Sequence, residues 1–524
     1  MPRARLGWIA RLLQNGTMTA QAPAPTMPQE VELKLAVPVS DPAGLLQRLS
    51  RHPVLARRTA RHLQLHNIYL DTPQQALRQA GAVLRLRRET GASSARWLQT
   101  LKISPQGPAA LSRRGEWEMP VQSAALERDA LPREVWSGLD PAGDLFDQLA
   151  PCFETVFDRA CWQVRRRDGS WVELALDIGE VRAGGRRERL CELEFELRAG
   201  PPGALFRLAR ELSGAVPMLP LDASKSARGF ALAQGPLPRI AAPVTLADGM
   251  LLADAARAVL RETSAQFTGN LALLLHHRNA ELVHQARVGW RRMRSAVQLF
   301  GAAAQNPLHD AIDALQPLCQ ALGDLRDTAV TRHDVLAPLQ DMFIAEDPRR
   351  AACWRRMLAR VDRLEATQHA ALLACLQQPA IGRALLDMTA WLEDVAPPVP
   401  DDPGAAGQTC AAARHIDRDW ALTRLRRLER KLLATSTEAL GSDGGHRRRI
   451  LAKRLRYGIE FLRPLLPKRW SRKALRQAAH LQRALGDARD LAQAVALLHR
   501  LPADTAVREF VRGVQLGRQR EAPD

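Results

Sequence analysis

The sequence has few aromatic residues, no long apolar run and no paired cysteine motif. Aromatic residues make up 5% of its 524 residues, with two tyrosines among them, which argues against the stacking surfaces that bind RNA or single-stranded nucleic acid. No apolar stretch approaches the roughly 20 residues that a membrane-spanning helix needs. These absences disfavour a membrane span and an aromatic nucleic-acid-binding surface.

The cysteines form no recognisable pattern. The chain has seven, and none belongs to a Cys-x-x-Cys pair. An odd, scattered set favours reduced thiols over a disulfide framework, and it provides no zinc motif. The sequence therefore predicts a cytoplasmic protein.

Positive charge is in large excess. Lysine and arginine total 75 against 56 aspartate and glutamate residues, for a formal net charge of +19. Such an excess favours a polyanionic partner, which could be nucleic acid, an acidic membrane surface or polyphosphate. The length predicts two or three domains. We expect residues 1–26, rich in Ala, Pro, Gln and Thr near their end, to be a disordered or non-native extension.

Residues 27–235 show the alternation typical of β-strands. Glu30, Glu32 and Lys34 share one strand face, while Val31 and Leu33 share the other. For one such stretch, a surface strand with its charges in water is the simpler interpretation. The pattern recurs, however, at Leu84–Arg87, Arg114–Glu118 and Glu192–Glu196. Strands charged on one face can line a polar barrel interior, so the sequence predicts an antiparallel barrel with flanking helices.

The stretch Glu30-x-Glu32-x-Lys34 resembles the signature of the CYTH domains, or triphosphate tunnel metalloenzymes. Further matches follow in order at Tyr69–Pro73, Leu84–Arg87, Gln99–Lys102, Asp177–Val181, Cys191–Glu194 and Ser224–Lys225. The resemblance implies an α+β first domain whose antiparallel eight-stranded β tunnel holds divalent metal and hydrolyses the terminal phosphoryl group of a triphosphate.

With this resemblance, the inward charges divide into two roles. Carboxylate pairs suit Mg²⁺ or Mn²⁺, so metal-binding and catalytic roles are predicted for Glu30, Glu32, Glu192 and Glu194, with Lys34 completing the catalytic set. Guanidinium and ammonium groups suit phosphate oxygens, so phosphate binding is predicted for Arg85, Arg87, Lys102, Arg114, Arg159 and Lys225. The predicted supporting carboxylates of the tunnel are Glu116, Glu118, Asp177 and Glu196.

Helical periodicity replaces strand signals after a predicted linker at residues 236–245. The region 246–513 contains a repeat, because His284–Arg294 matches His446–Arg456 and Ala321–Asp327 matches Ala484–Asp490. A proline-rich breaker at residues 396–407 separates the copies. The sequence predicts an all-α pair of duplicated helical bundles, at about residues 246–395 and 408–513.

Each copy carries one basic stripe. In the first copy it lies at positions i, i+3, i+7 and i+10, which share a helix face, and consists of His284, Arg287, Arg291 and Arg294. The second stripe consists of His446, Arg449, Lys453 and Arg456. A solvated basic face is the alternative, but the duplication favours a bound polyanion. These motifs resemble the CHAD domains, and the resemblance implies polyphosphate binding along a basic surface between the two bundles.

Together the two resemblances favour an inorganic triphosphatase of the bacterial CYTH–CHAD type. Such an enzyme converts tripolyphosphate to pyrophosphate and phosphate with Mg²⁺ or Mn²⁺, and its helical domain binds polyphosphate or associates with polyphosphate granules in the cytoplasm. Two alternatives stay open: a polyphosphate-binding or targeting protein with weak or vestigial catalysis, and a triphosphatase or cyclase acting on thiamine triphosphate or ATP. Specific nucleic-acid binding is not expected, since no nucleic-acid-binding motif accompanies the charge.

Overall fold

The structure is a computed structural model that describes residues 29–39, 41–91, 95–103, 109–235, 237–395, 414–435, 442–484, 487–502 and 505–521. The predicted extension at residues 1–26 and the predicted breaker at residues 396–407 lie outside this part of the chain. The chain divides into two compact units. Unit 1 takes in residues 1–237, 275–277 and 377–397, and unit 2 takes in residues 238–274, 278–376 and 398–524.

Unit 1 is built on an antiparallel sheet that closes on itself. Its strands are β1 (Gln29–Ala36), β2 (Arg61–Asp71), β3 (Ala82–Thr90), β4 (Ala95–Ile103), β5 (Leu111–Val121), β6 (Ala150–Arg165), β7 (Trp171–Ala183), β8 (Arg186–Ala199) and β9 (Leu219–Pro220). The order is β5-β4-β3-β2-β6-β7-β8-β1, with the short β9 beside β1, and the pairing of β1 with β5 closes the ring. The predicted eight-stranded antiparallel barrel is confirmed.

The apolar face of the barrel points outward and is covered by helices. Unit 1 contains α1 (Leu45–Arg51), α2 (Ala76–Gln79), α3 (Arg133–Leu139), α4 (Gly203–Leu212) and α5 (Lys225–Gln234), with 3₁₀ turns at Arg128–Ala130 and Phe146–Gln148. Leu33 and Leu35 of β1 share one core with Leu205, Leu208 and Leu212 of α4. Because successive strand residues alternate between faces, burying the leucines outside directs the charged residues into the barrel.

The rest of the described chain is helical, which confirms the predicted all-α region. Its helices are α6 (Leu252–Leu274), α7 (Ala280–Phe300), α8 (Ala302–Ala314), α9 (Gln316–Val330), α10 (Ala337–Ile344), α11 (Pro348–Leu376), α12 (Pro379–Leu392), α13 (Arg418–Leu433), α14 (Ser442–Leu462), α15 (Lys468–Ala484), α16 (Asp487–Arg500) and α17 (Thr505–Glu521). A π-helical turn, Thr331–Leu336, leads into α10, and a 3₁₀ turn, Arg463–Leu465, follows α14. Among the helices described, none has both the length and the apolar character of a bilayer span.

Helix α12 belongs to unit 1, although it lies within the predicted helical half. Its Leu386 and Ala390 join the core formed by Leu33 and Phe195 of the barrel and Leu208 of α4. Arg210 of α4 also pairs with Asp387, with Nη1 and Oδ1 3.0 Å apart. The predicted domain boundaries remain predictions, and α12 shows that the compact units do not follow the chain order strictly.

The two predicted halves of the helical region share one core in unit 2. Leu336 and Trp354 from the first half pack in the same cluster as Leu491, Leu498 and Val507 from the second. Helices α7 and α14, which carry the two basic stripes, also pack against each other. Apolar packing therefore holds the two halves together. Each fully buried apolar side chain contributes about 1.5–3 kcal/mol to the stability of the folded state.

Candidate functional site

The register of three strands sets the centre of the site in unit 1. A two-residue turn, Gly184 and Gly185 with φ of 55° and 75°, joins β7 to β8, and such turns require positive φ at both positions. The resulting register places Asp177 of β7 opposite Glu192 of β8. Strand β6 in turn places Arg159 opposite Asp177. Neighbouring strands thus bring two carboxylates and one guanidinium into a single row.

Lys225 completes this row from the start of α5. The hydroxyl of Ser224, the N-cap residue, accepts a hydrogen bond from the backbone N–H of Ala227 and so fixes the helix start. The Nζ of Lys225 lies 2.6 Å from Asp177 Oδ2, 2.5 Å from Glu192 Oε1 and 2.8 Å from Glu194 Oε1. We call this group, together with Arg159, the Lys225 cluster.

Arg159 binds the same carboxylates from β6. Its Nε and Nη2 each donate to Asp177 at 2.7 Å, in the bidentate geometry of strong charge-assisted pairs. Arg159 also contacts Glu194. Asp177 and Glu192 are fully buried. Buried charges persist only when they are paired, so this cluster requires cations close to its carboxylates.

Asp177, Glu192 and Glu194 form an oxygen donor set of the right size for a cation. One carboxylate oxygen from each lies within 4.8 Å of the others. Mg²⁺ and Mn²⁺ take oxygen ligands of this kind, so the residues fit a divalent metal. Asp177 was predicted as a supporting carboxylate, whereas the structure places it beside Glu192 and Glu194.

Glu30 and Glu32 lie in a second group, the Glu30 cluster, together with Lys34, Lys102 and Arg114. The Nζ of Lys102 lies 3.0 Å from Glu30 Oε2, and Arg114 reaches Glu30 at 2.6 Å and Glu32 at 2.7 Å. Lys34 contacts Glu32. Cross-strand pairing sets Lys34 opposite Glu194 and thereby brings the two clusters together. The predicted metal-binding role of Glu30 and Glu32 stays a prediction.

The crowded carboxylates have opposite pKa shifts. Burial raises the pKa of Glu30 and of Glu194, but Lys102 and Arg114 for the first, and Lys225 and Arg159 for the second, hold each pKa well below its usual value. Burial and then Glu194 raise the pKa of Glu32. Burial raises the pKa of Glu196 to about 7, with Glu30 and Glu32 adding to the shift. Burial and the neighbouring carboxylates therefore disfavour the charged forms of Glu32 and Glu196.

Further along the barrel, the cations Arg85, Arg87 and Arg159 lie close together. Arg87 donates to Asn67 Oδ1 at 2.9 Å and lies 3.9 Å from Glu118, and burial, followed by Arg85 and Arg159, lowers its pKa. Like charges this close favour an anion between them.

The two remaining supporting carboxylates contact those cations. Glu116 lies 2.9 Å from Lys102 and 3.7 Å from Arg85. Glu118 accepts a hydrogen bond from Thr100 at 3.1 Å. The barrel thus carries an acidic group next to a row of cations, which is the chemistry that a metal-bound phosphate chain would require.

Arg228 is a site residue that the sequence did not reveal. Its Nη1 lies 3.1 Å from Glu192 Oε2, its Nε donates to Glu188 at 2.9 Å, and its Nη2 donates to the Arg189 carbonyl at 2.6 Å. Arg228 follows Lys225 by one helical turn, on the same side of α5. This spacing from Lys225 is the feature of the sequence that could have predicted its position. The contact with Oε2 indicates that Arg228 orients the carboxylate of Glu192.

Replacing Arg228 with alanine is expected to raise the Mg²⁺ concentration for half-maximal activity about 10- to 100-fold, since groups that orient metal ligands contribute on that scale. Arg228→Lys keeps the positive charge but loses the several N–H donors of the guanidinium, so the Mg²⁺ concentration for half-maximal activity should rise by an intermediate factor. The measurement is activity against Mg²⁺ concentration, with Arg182→Ala, which removes a more exposed arginine paired with Glu180, as the control. An unchanged metal dependence would assign Arg228 a purely structural role.

In unit 2, the first basic stripe lies along α7 and the second along α14. His284, Arg287 and Arg291 are half-buried, Arg294 is exposed, and burial and then Arg326 lower the pKa of His284. A neutral imidazole among arginines suits hydrogen bonding to phosphate.

On α14, the second stripe continues the basic surface of α7. Arg449, Lys453 and Arg456 are half-buried, whereas the side chain of His446 lies outside the described part. Burial and then Arg294 lower the pKa of Arg454, which shows that cations of the two helices lie close enough to repel. Glu460 pairs with Arg456 at 3.3 Å, and the repulsion between cations of the two helices favours an anion as the ligand of this surface.

The comparisons with known proteins separate the chain at the same place. The CYTH domain family matches residues 28–230 and the CHAD domain family matches residues 258–499. An inorganic triphosphatase of Haemophilus influenzae is 31% identical over 207 residues, which are 39% of this chain and 55% of the relative. The match thus spans about half the length of that relative.

Solved structures give partial matches. The CHAD domain of the plant Ricinus communis is 26% identical, covering 55% of this chain and 93% of its own, with a TM-score of 0.45. A putative adenylyl cyclase from Hippeastrum, described as having a dominant triphosphatase activity, is 19% identical, covering 40% of this chain and 98% of its own, with a TM-score of 0.27. The chain therefore consists of a CYTH domain, at residues 28–230, followed by a CHAD domain, at residues 258–499.

Proposed function

We propose that the barrel of unit 1 hydrolyses inorganic triphosphate to pyrophosphate and phosphate, with Mg²⁺ or Mn²⁺ as cofactor. The observation that carries the proposal is the grouping of Asp177, Glu192 and Glu194 inside a barrel that also holds the closely spaced cations Arg87 and Arg159. The similarity to the inorganic triphosphatase of Haemophilus influenzae supports the same substrate. A tunnel that only held anions would gain nothing from these carboxylates.

The residues divide the work of the proposed reaction between them. Asp177, Glu192 and Glu194 would hold the metal, which when bound neutralises phosphate oxygens and lowers the pKa of bound water. Lys225 would then turn its ammonium from these carboxylates to the phosphate chain. Arg85, Arg87 and Arg159 would hold the remaining phosphate oxygens, and positioning of this kind accounts for most of the catalysis in phosphoryl transfer.

The test is phosphate release from tripolyphosphate, ATP, thiamine triphosphate and long-chain polyphosphate, each with and without Mg²⁺ or Mn²⁺. The proposal expects fast release from tripolyphosphate that depends on the metal. Faster release from ATP or thiamine triphosphate would identify an organic triphosphate as the substrate. The absence of release from all four would leave a polyphosphate-binding protein with vestigial catalysis.

We further propose that the two basic stripes bind polyphosphate and direct the protein to polyphosphate granules in the cytoplasm. Replacing Arg287, Arg291, Arg449 and Lys453 with alanine is expected to weaken polyphosphate binding and to flatten its salt dependence. By analogy with single-stranded nucleic acid, the slope of log affinity against log salt should fall by about 0.7 for each lost phosphate contact.

A charge-matched variant on α11 is the control for that experiment. It replaces the exposed residues Arg349, Arg350, Arg355 and Arg356 with alanine and lowers the net charge by the same amount. The slope of this control should stay close to that of the wild type. If both variants lose affinity equally, binding follows net charge alone and the stripes are not the binding surface.

A further inference from the structure

Three arginines of the first stripe surround a cavity. It has a volume of about 210 Å³ and is lined by Arg287, Trp290, Arg291, Arg294, Gln316, Cys319, Gln320 and Leu322. Trp290 and Leu322 form its buried apolar wall, and Gln316 and Gln320 are exposed at its edge. One ordered water needs about 10–15 Å³ of such volume, so the cavity has ample room for a compact polar group.

The cavity contains buried donors that no described residue satisfies. Arg287 Nη1 and Arg291 Nε are both buried, and neither has a hydrogen-bond partner among the residues that the structure describes. Burial lowers the pKa of Arg287, and Asp327 opposes this shift more strongly than either Arg291 or Arg326 adds to it. An unsatisfied buried donor is costly, more so when charged, and an anion in the cavity would remove that cost.

Gly323 keeps the guanidinium of Arg287 in this position. A Cβ atom at residue 323 would lie 2.6 Å from Arg287 Nη1, closer than nonbonded atoms approach. Glycine is unfavourable in a helix interior relative to alanine, yet Gly323 lies in the middle of α9. The guanidinium of Arg287 therefore occupies the space that a side chain at residue 323 would take.

We propose that this cavity binds the terminal phosphate group of a linear polyphosphate chain, so that unit 2 recognises chain ends in addition to the chain backbone. The inference rests on the proposed polyphosphate binding and specifies which part of the polyphosphate chain the cavity recognises. Arg287, Arg291 and Arg294 surround the group, and the rest of the chain leaves over the exposed edge.

Charge and geometry favour an end over an interior phosphate. A terminal phosphate resembles a phosphate monoester, which at pH 7 has about −1.5 to −2 charges and three acceptor oxygens. An interior phosphate has one charge and two non-bridging oxygens. Three arginines around a half-enclosed cavity match the higher charge of a terminal phosphate. An interior phosphate would also have to bring the chain segments on both of its sides into the same small space.

The test compares two preparations of long-chain polyphosphate of equal length, one with free ends and one with both ends capped as phosphoramidates of a small amine. Affinity is measured with the full chain in the presence of EDTA, which prevents turnover. We expect free-ended chains to bind about tenfold more tightly than capped chains, as the loss of one charge-assisted hydrogen bond would produce.

Four variants locate the source of that preference. Gly323→Ala keeps every charge but displaces the Arg287 guanidinium, and it should abolish the tenfold difference, as should Arg287→Ala. Arg349→Ala, on exposed α11, should keep it. The double variant Arg85→Ala/Arg87→Ala, which alters the barrel, should keep it as well.

Each outcome decides one of the two proposals. Equal binding of capped and free chains to the wild type would overturn end recognition and leave polyphosphate binding standing, whereas binding of neither would overturn both. A preference that survives Gly323→Ala but disappears in the barrel variant would assign end recognition to unit 1. Displacement of free-ended chains by orthophosphate at equal concentration would identify the cavity as a site for free phosphate and overturn the inference.

Discussion

Replacing Asp177 with asparagine is expected to lower metal-dependent phosphate release from tripolyphosphate about 10³-fold. Asparagine keeps the shape of the side chain but removes the charge that would complete the donor set with Glu192 and Glu194. A bound metal contributes several kcal/mol of charge stabilisation in the transition state, and each 1.36 kcal/mol corresponds to a tenfold change in rate. The measurement is the steady-state rate across a range of Mg²⁺ concentrations.

Asp158 provides the matched control. It precedes Arg159 on β6, is exposed, and therefore lies on the outer side of the same barrel wall. Asp158→Asn should keep wild-type turnover and metal dependence. A rate for Asp177→Asn within a few-fold of the wild type would show that the metal is held elsewhere, with Glu30 and Glu32 as the next candidates.

Replacing Lys225 with methionine is expected to destabilise the barrel strongly when no divalent metal is bound. The variant would leave Asp177, Glu192 and Glu194 without the ammonium that lies within 2.8 Å of all three. Removing one partner of a buried ion pair costs about 3–5 kcal/mol, because the other partner stays buried and uncompensated. Arg159, Arg228 and the nearby Lys34 would offset the carboxylates in part.

Mg²⁺ should recover most of that loss, because a ligand that binds only the folded state stabilises it by mass action. The measurement is hydrogen exchange of β7 and β8 amides in increasing urea, which reports the local opening free energy, with EDTA and with Mg²⁺. Arg88→Met, which alters an exposed residue of β3, is the control. Equal protection of Lys225→Met and the wild type in EDTA would contradict the dependence of these carboxylates on a cation.

Strand parity predicts the faces of the barrel well. Glu30, Glu32 and Lys34 were predicted to share an inner face. Glu30 pairs with Lys102, and Glu32 pairs with Arg114 and Lys34, inside the barrel. The reason is that side chains alternate between the two faces of a strand because of backbone geometry alone. The burial of Leu33 and Leu35 under α4 then fixes which face of β1 points into the barrel.

Partners across strands could not be predicted in the same way. Asp177 joins Glu192 because a Gly184–Gly185 turn sets their register, and neither residue indicates this pairing by itself. The contact of Arg228 with Glu192 depends on how α5 packs against β8, and this tertiary packing cannot be read from the sequence. Helix α12, with Leu386 in the core of unit 1, has the same leucine periodicity as its neighbours, so periodicity cannot assign it to a unit.

The central claim is that the carboxylates inside the barrel support hydrolysis of inorganic triphosphate by holding a divalent metal. The most direct measurement is phosphate release from tripolyphosphate by the protein after treatment with a chelator, followed by stepwise addition of Mg²⁺ or Mn²⁺. The account predicts negligible release after chelation and full recovery when either metal is restored. Undiminished release in the chelator would contradict it, and so would an inactive protein that regains no activity with either metal.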